Sequence, residues 1–214
     1  MTPKAHWQKV WHTVQEVVGQ FPEDSVLIGG VAVFLHTQAA KRPQIPVEFT
    51  HVADMYIGQN AWADLRDTYE VVPNRRLSKH QITVQGVEVD LYIEHQNGLR
   101  VVYRDLALAA VVLGGVRVAC LEHLLLLKLS AFSDRRTSSH GQKDQRDIAK
   151  ILILLSDTPP HYLLAQVEPT DMVLLDGVLG SSAFLEIADG NAHTAAPLRK
   201  SARIFVARLK QGLG

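Results

Sequence analysis

Three groups of residues offer chemistry. The first is Gly29-Gly30, which ends the apolar run Ser25-Val26-Leu27-Ile28 and opens into the helical pattern Val31 to Gln38. A strand that passes through paired glycines into a helix leaves backbone N–H groups pointing outward, where the helix dipole adds partial positive charge. Without side chains there, the backbone approaches a phosphate closely. The same turn serves equally as a tight connection with no ligand. The second group is Asp54, in Ala53-Asp54-Met55-Tyr56-Ile57, and Asp90, in Val87-Glu88-Val89-Asp90-Leu91-Tyr92-Ile93. Aspartate is disfavoured in strands, so two of them in apolar strand sequence need a reason. Carboxylates on adjacent strands can hold Mg²⁺, which takes few protein oxygens and leaves its other positions to phosphates and water. The alternative is two acids facing solvent on a half-exposed sheet. The third group is Lys128, on a face with Leu121, Leu125 and Phe132, together with Asp144 and Asp147, which precede Ile148, Ile151 and Leu155 on one stripe. A lysine in so apolar a helix must pair its ammonium or reach water. A contact to Asp144 or Asp147 meets that need, as does a lysine that snorkels beside a helix cap.

The elements that must position these groups follow from periodicity and punctuation. Trp7, Trp11, Val14 and Val18 give an amphipathic helix over Met1 to Gln20. Lys41 to Pro46 reads as a loop, Val47 to Ile57 as a strand, and Gln59-Asn60 as the cap of a short helix through Leu65. Pro73 to Lys79 reads as a basic loop. Gln85-Gly86 between Ile82-Thr83-Val84 and Val87 to Ile93 is a two-residue hairpin signal. Asp105 to Leu113 reads as a helix closed by Gly114, and Val116-Arg117-Val118 as a brief strand. Leu121 to Phe132 and Gln142 to Leu155 read as helices around a polar loop. After Pro159-Pro160 the chain looks mainly helical and ends on the basic stretch Arg199 to Lys210. The expectation is an α/β (α+β) protein with a mixed sheet flanked by helices: residues 1–118 form a sheet-based core and residues 119–214 a helical C-terminal region.

Bulk properties limit the function classes. The 214 residues are 47% hydrophobic, enough for a core. Lys plus Arg and Asp plus Glu both number 22, so overall charge gives no push toward nucleic acid or an acidic membrane. The single cysteine, Cys120, excludes a disulfide framework within the chain and favours a reducing, cytoplasmic location. The most apolar region, Leu106 to Phe132, is interrupted by Gly114-Gly115, Arg117, Glu122 and His123 and reads as core, not as a membrane span. Ten histidines show no zinc-site spacing. No Gly-x-Ser-x-Gly turn is present. Arg75, Arg76, Lys79 and His80 form a basic stretch suited to a triphosphate or RNA acceptor, or simply to solvent.

Val26-Leu27-Ile28-Gly29-Gly30-Val31-Ala32, the strand acids after it, Leu126-Leu127-Lys128-Leu129-Ser130-Ala131 with Asp134-Arg135, and Gln142-Lys143-Asp144-Gln145-Arg146-Asp147-Ile148 together resemble the nucleotidyltransferase superfamily. The pattern is similar above all to AbiEii-type and related minimal nucleotidyltransferases, over roughly residues 22 to 155. The resemblance implies a DNA-polymerase-β-like core. It also implies Mg²⁺-dependent transfer of a nucleotidyl group from a nucleoside triphosphate to a hydroxyl on RNA, protein or a small molecule, as in the toxin of a toxin–antitoxin pair with its antitoxin partner. Gly29 and Gly30 would then contact phosphate, and Asp54 and Asp90 would hold metal. Asp90 would also help activate the hydroxyl, and Lys128 would face the triphosphate with Asp144 nearby. The chain departs from the pattern at one place. The family's first strand carries two acids one residue apart. Aligning Thr50 with the family's threonine puts Val52 at the first acid and Asp54 at the second; if Asp54 is the first, Tyr56 stands at the second. Glu48 and Glu88 are the candidate substitutes. The other reading is a degenerate relative that binds without catalysing, or an interaction module using the C-terminal helices.

Overall fold

The computed structural model describes residues 3–41, 50 and 52–213. Helix α1 spans Pro3–Gln20, strand β1 Ser25–Ile28, helix α2 Gly29–Ala39, β2 Ala53–Ile57, α3 Gln59–Thr68, β3 Val72–Asn74, β4 Lys79–Val84 and β5 Val87–Ile93. Then come α4 at Tyr103–Leu108, β6 at Val111–Leu113 and β7 at Val116–Val118. Helices α5 (Leu121–Arg135), α6 (Ser139–Leu154), α7 (His161–Leu164), α8 (Pro169–Gly180), α9 (Ala183–Ile187) and α10 (Ala192–Leu213) complete the chain. The described residues form two compact units, one drawn from Met1–His36 and Glu48–Cys120, the other from Thr37–Val47 and Leu121–Gly214. No helix among the described residues is long and apolar enough to cross a membrane.

The first unit is built on a seven-stranded mixed sheet in the order β3-β4-β5-β2-β1-β7-β6. Strand β1 runs antiparallel to β2 and parallel to β7, and β2 runs parallel to β5. The strand alternation is carried through in the burial: Ala53, Met55 and Ile57 of β2 and Val89, Leu91 and Ile93 of β5 have no exposed surface. That packed face fixes register, because a slip by one residue would turn every one of these side chains outward. The opposite face, in the same register, carries Asp54 with Asp90 and Tyr56 with Tyr92. The hairpin at Gln85-Gly86 forms, both residues having positive φ (51° and 73°), as a two-residue primed turn requires. Helix α1 buries Val10, Val14, Val17 and Val18.

Three sequence expectations are corrected. The stretch Asp105 to Leu113 is not one helix. Helix α4 ends at Leu108, and Val111–Leu113 pairs antiparallel with Val116–Val118. Gly114 and Gly115, at φ 61° and 84°, make the hairpin turn that a helix-closing glycine would not explain. Pro73 to Lys79 is not a loop: it holds β3, a 3₁₀ turn at Arg75–Leu77 and the first residue of β4. Strand β2 begins at Ala53, not at Val47. Residues 42–49 and 51, which include most of the expected loop Lys41 to Pro46 and the candidate ligand Glu48, lie outside the described residues.

In the second unit α6 is the central helix and packs against α5, α9 and α10. Ile148, Ile151 and Leu152 of α6 and Leu124, Leu125 and Leu129 of α5 have no exposed surface. Ser138 caps α6, its hydroxyl accepting from the Gly141 N–H at 3.1 Å. Truncating such a leucine to alanine would cost about 2–5 kcal/mol.

Candidate functional site

The first-unit site is set by register. Ile28, the last residue of β1, pairs with Asp54, and Asp54 pairs with Asp90. In-register residues on neighbouring parallel strands point to the same face, and such strands lie about 4.8 Å apart. The two carboxyl groups therefore stand side by side, on the side of β2 and β5 away from the apolar face. Asp54 is half-buried and Asp90 buried, so neither is an ordinary solvated surface acid.

Gly29 closes this site against β1. Its φ is 66°, a conformation that side chains rarely adopt, and a Cβ built on it would lie 2.7 Å from the Asp54 carboxyl carbon. Both observations demand glycine at 29. Gly30 is the next residue of the helix, so α2 starts directly beside the Asp54 carboxylate. The positive end of the helix dipole there favours the carboxylate, as it would favour a phosphate.

Asp90 is held by two residues of β4. The Lys79 ammonium pairs with Asp90 Oδ2, and the Gln81 amide donates to Oδ1 at 3.2 Å. Sequence reasoning placed Lys79 in a basic loop and did not single out Gln81. The signal was present in the hairpin: Val84 pairs with Val87 across Gln85-Gly86, so three steps back Gln81 faces Asp90, with Lys79 two residues further on the same face. The neighbouring His80 points the other way, its ring 4.7 Å from that of Trp62, and burial there lowers its pKa. Glu88 is exposed, one strand-face step from Asp90. Val52 precedes β2 in a bend, and the Thr50 hydroxyl donates to its carbonyl at 3.1 Å.

The residues present suit one divalent ion. Asp54 and Asp90 would supply the one or two carboxylates that Mg²⁺ takes when substrate phosphates and water complete its octahedron. Among the described residues no group of three His, Cys, Asp or Glu side chains is arranged to hold an ion. The other acid expected from the resemblance is absent: Val52 stands at its position in the alignment on Thr50, and Tyr56 in the other. Tyr56 is buried and packs edge-on against Tyr103 at 5.3 Å.

A scan of family models and a search of curated proteins found no match. Two solved structures match across nearly the whole chain. One, from H. pylori, bears the description "putative nucleotidyltransferase"; it has a TM-score of 0.50 and 16% identity, and the match covers 96% of this chain and 95% of that one. The other is JHP933 from Helicobacter pylori, with a TM-score of 0.51 and 16% identity, covering 98% and 94%. The fold is nucleotidyltransferase-like. Within this fold the Gly29 turn and the two strand acids come together in the first unit.

Lys128 and Asp144 come together in the second unit. The Lys128 ammonium lies 3.0 Å from Asp144 Oδ1 and 2.7 Å from Asp147 Oδ2, and Arg135 Nε donates to Asp144 Oδ2 at 2.7 Å. Lys128 does not snorkel to water: it is buried and ion-paired. Burial works against its charge, but Asp147 and Asp144 outweigh burial and raise its pKa. Burial likewise works to raise Asp144, and Lys128 with Arg135 outweighs it, holding that carboxyl below the ordinary range.

Proposed function

We propose that this protein transfers a nucleotidyl group from a Mg²⁺-bound nucleoside triphosphate to a hydroxyl acceptor, in the manner of AbiEii-type minimal nucleotidyltransferases. The observation that carries the proposal is the in-register pair Asp54 and Asp90 beside the Gly29 turn. Bound there, a divalent ion would neutralise phosphate charge and polarise the α-phosphorus. Asp54 and Asp90 would hold it. Asp90 also accepts the proton of the acceptor hydroxyl as its oxygen bonds to the α-phosphorus and pyrophosphate leaves. The free N–H groups at the start of α2 would take phosphate oxygens.

The test is label transfer. Each of the four nucleoside triphosphates, labelled at the α-phosphate, is incubated with the protein, Mg²⁺ and a broad pool of cell RNA and protein. The expected result is label on an acceptor with at least one nucleotide, lost in Asp90→Asn. Absence of transfer with all four would reject the proposal.

A second reading is favoured by two observations together: an apolar residue at one of the paired acid positions, and an ammonium already on Asp90. It is a nucleotide-binding relative without catalysis, whose affinity for triphosphate is independent of Mg²⁺. A calorimetric titration separates the readings, since the transferase must bind triphosphate more tightly when Mg²⁺ is present.

A further inference from the structure

Lys79 and Gln81 leave the same face of β4 and meet the two oxygens of one carboxylate. Their positions are pinned by the antiparallel register of β4 on β5, in which Gln81 faces Asp90. The side chains of the Lys79–Asp90 pair are only 14% and 9% exposed. Opposite charges largely withdrawn from water attract more strongly than surface ion pairs. Asp54 stands next to Asp90. Two adjacent carboxylates repel each other and call for positive charge, and the Lys79 ammonium supplies half of what a divalent cation supplies.

We propose that Lys79 is the resident counter-ion of the Asp54–Asp90 pair and sets the concentration of divalent cation at which the site loads. Asp90 Oδ2 would become fully available to the cation as the Lys79 ammonium leaves it. Gln81, a neutral donor on Oδ1, stays in place through the exchange and keeps the carboxylate oriented. The displaced ammonium remains tethered beside the site, where a phosphate oxygen is its natural new partner. Lys79 is thus a positioning residue that links loading of the ion to arrival of the triphosphate. The inference rests on the transferase reading only in taking Asp54 and Asp90 as ligands of the ion.

The experiment is a titration of Mn²⁺ into the full chain without nucleotide, with free ion read by electron paramagnetic resonance. Lys79→Met should bind Mn²⁺ about tenfold more tightly than the natural chain, about 1.4 kcal/mol. Lys79→Arg, which keeps the charge, should stay close to the natural affinity, and Asp90→Asn should lose the site. A merely structural lysine would give no such division between Met and Arg. Lys79→Gln serves if the methionine variant does not fold. A folded neutral variant that binds Mn²⁺ no more tightly than the natural chain overturns the inference, and so does undiminished binding by Asp90→Asn. Because nucleotide is absent, the two proposals fail separately. Tightening in Lys79→Met without nucleotidyl transfer by the natural chain rejects only the transfer reading. Transfer without tightening rejects only the role of Lys79.

Discussion

At position 52 a valine stands where the nucleotidyltransferase pattern that the sequence resembles, aligned on Thr50, has an acid. The local geometry shows what restoring one would do. Val52 is half-buried and stands in the bend that leads into β2, two residues before Asp54. Val52→Asp should therefore add a ligand to the pair and tighten Mn²⁺ binding by about tenfold or more, readable in the same nucleotide-free titration. Unchanged affinity would mean that residue 52 does not reach the ion. The residue scale is also where the sequence was most and least informative. Gly29 and Asp54 were legible because glycine before a helix and aspartate in a strand are each costly without a reason. Lys79 was not, because a lysine beside Arg75 and Arg76 looks like any solvated basic segment until its strand partner is known.

The pairing of α5 with α6 depends on buried charge as well as on leucine packing. Lys128, with Asp144 and Asp147, lies among side chains that have no exposed surface. Removing one member of a buried ion cluster leaves the others uncompensated. Lys128→Met should thus destabilise the protein by about 3–5 kcal/mol in chemical denaturation, far more than its gain in apolar surface returns. The pH dependence follows from the shifts. Asp144 is held below its ordinary value of 3.8, so its contribution is present above that pH and is lost as pH falls through its depressed value. Lys128 is raised above 10.5, so its contribution is present below that pH and fails only as pH rises through the raised value. The stability gap between the natural chain and Asp144→Asn should accordingly be constant from mildly acid to neutral pH and shrink below about 3.8. A gap that widens as pH falls below about 3.8 would contradict this account of the cluster. The helical period made this arrangement legible, since Asp144, Asp147, Ile148 and Ile151 fall on one stripe. The α4–β6 region was misread because short apolar runs such as Val111–Leu113 carry no period long enough to tell strand from helix.

For the molecule as a whole, the mixed sheet and the helical C-terminal half were legible from the order of elements, whereas the order of the strands was not. Topology β3-β4-β5-β2-β1-β7-β6 places β2 between β1 and β5. That single fact sets Asp54 beside Asp90 and next to the Gly29 turn, and no local sequence signal encodes it. The balance of 22 basic and 22 acidic residues means that long-range charge does not deliver a polyanionic substrate. Under the proposed function, recognition of a triphosphate would therefore rest on the site's own groups: the start of α2, the two carboxylates and Lys79. The most direct test is a crystal structure with Mn²⁺ and a non-hydrolysable nucleoside triphosphate, read by the manganese anomalous signal. The account predicts one ion contacting both Asp54 and Asp90, with Lys79 moved from Asp90 Oδ2 to a phosphate oxygen. A triphosphate bound with Lys79 still on Asp90 and no ion between the two carboxylates would contradict it.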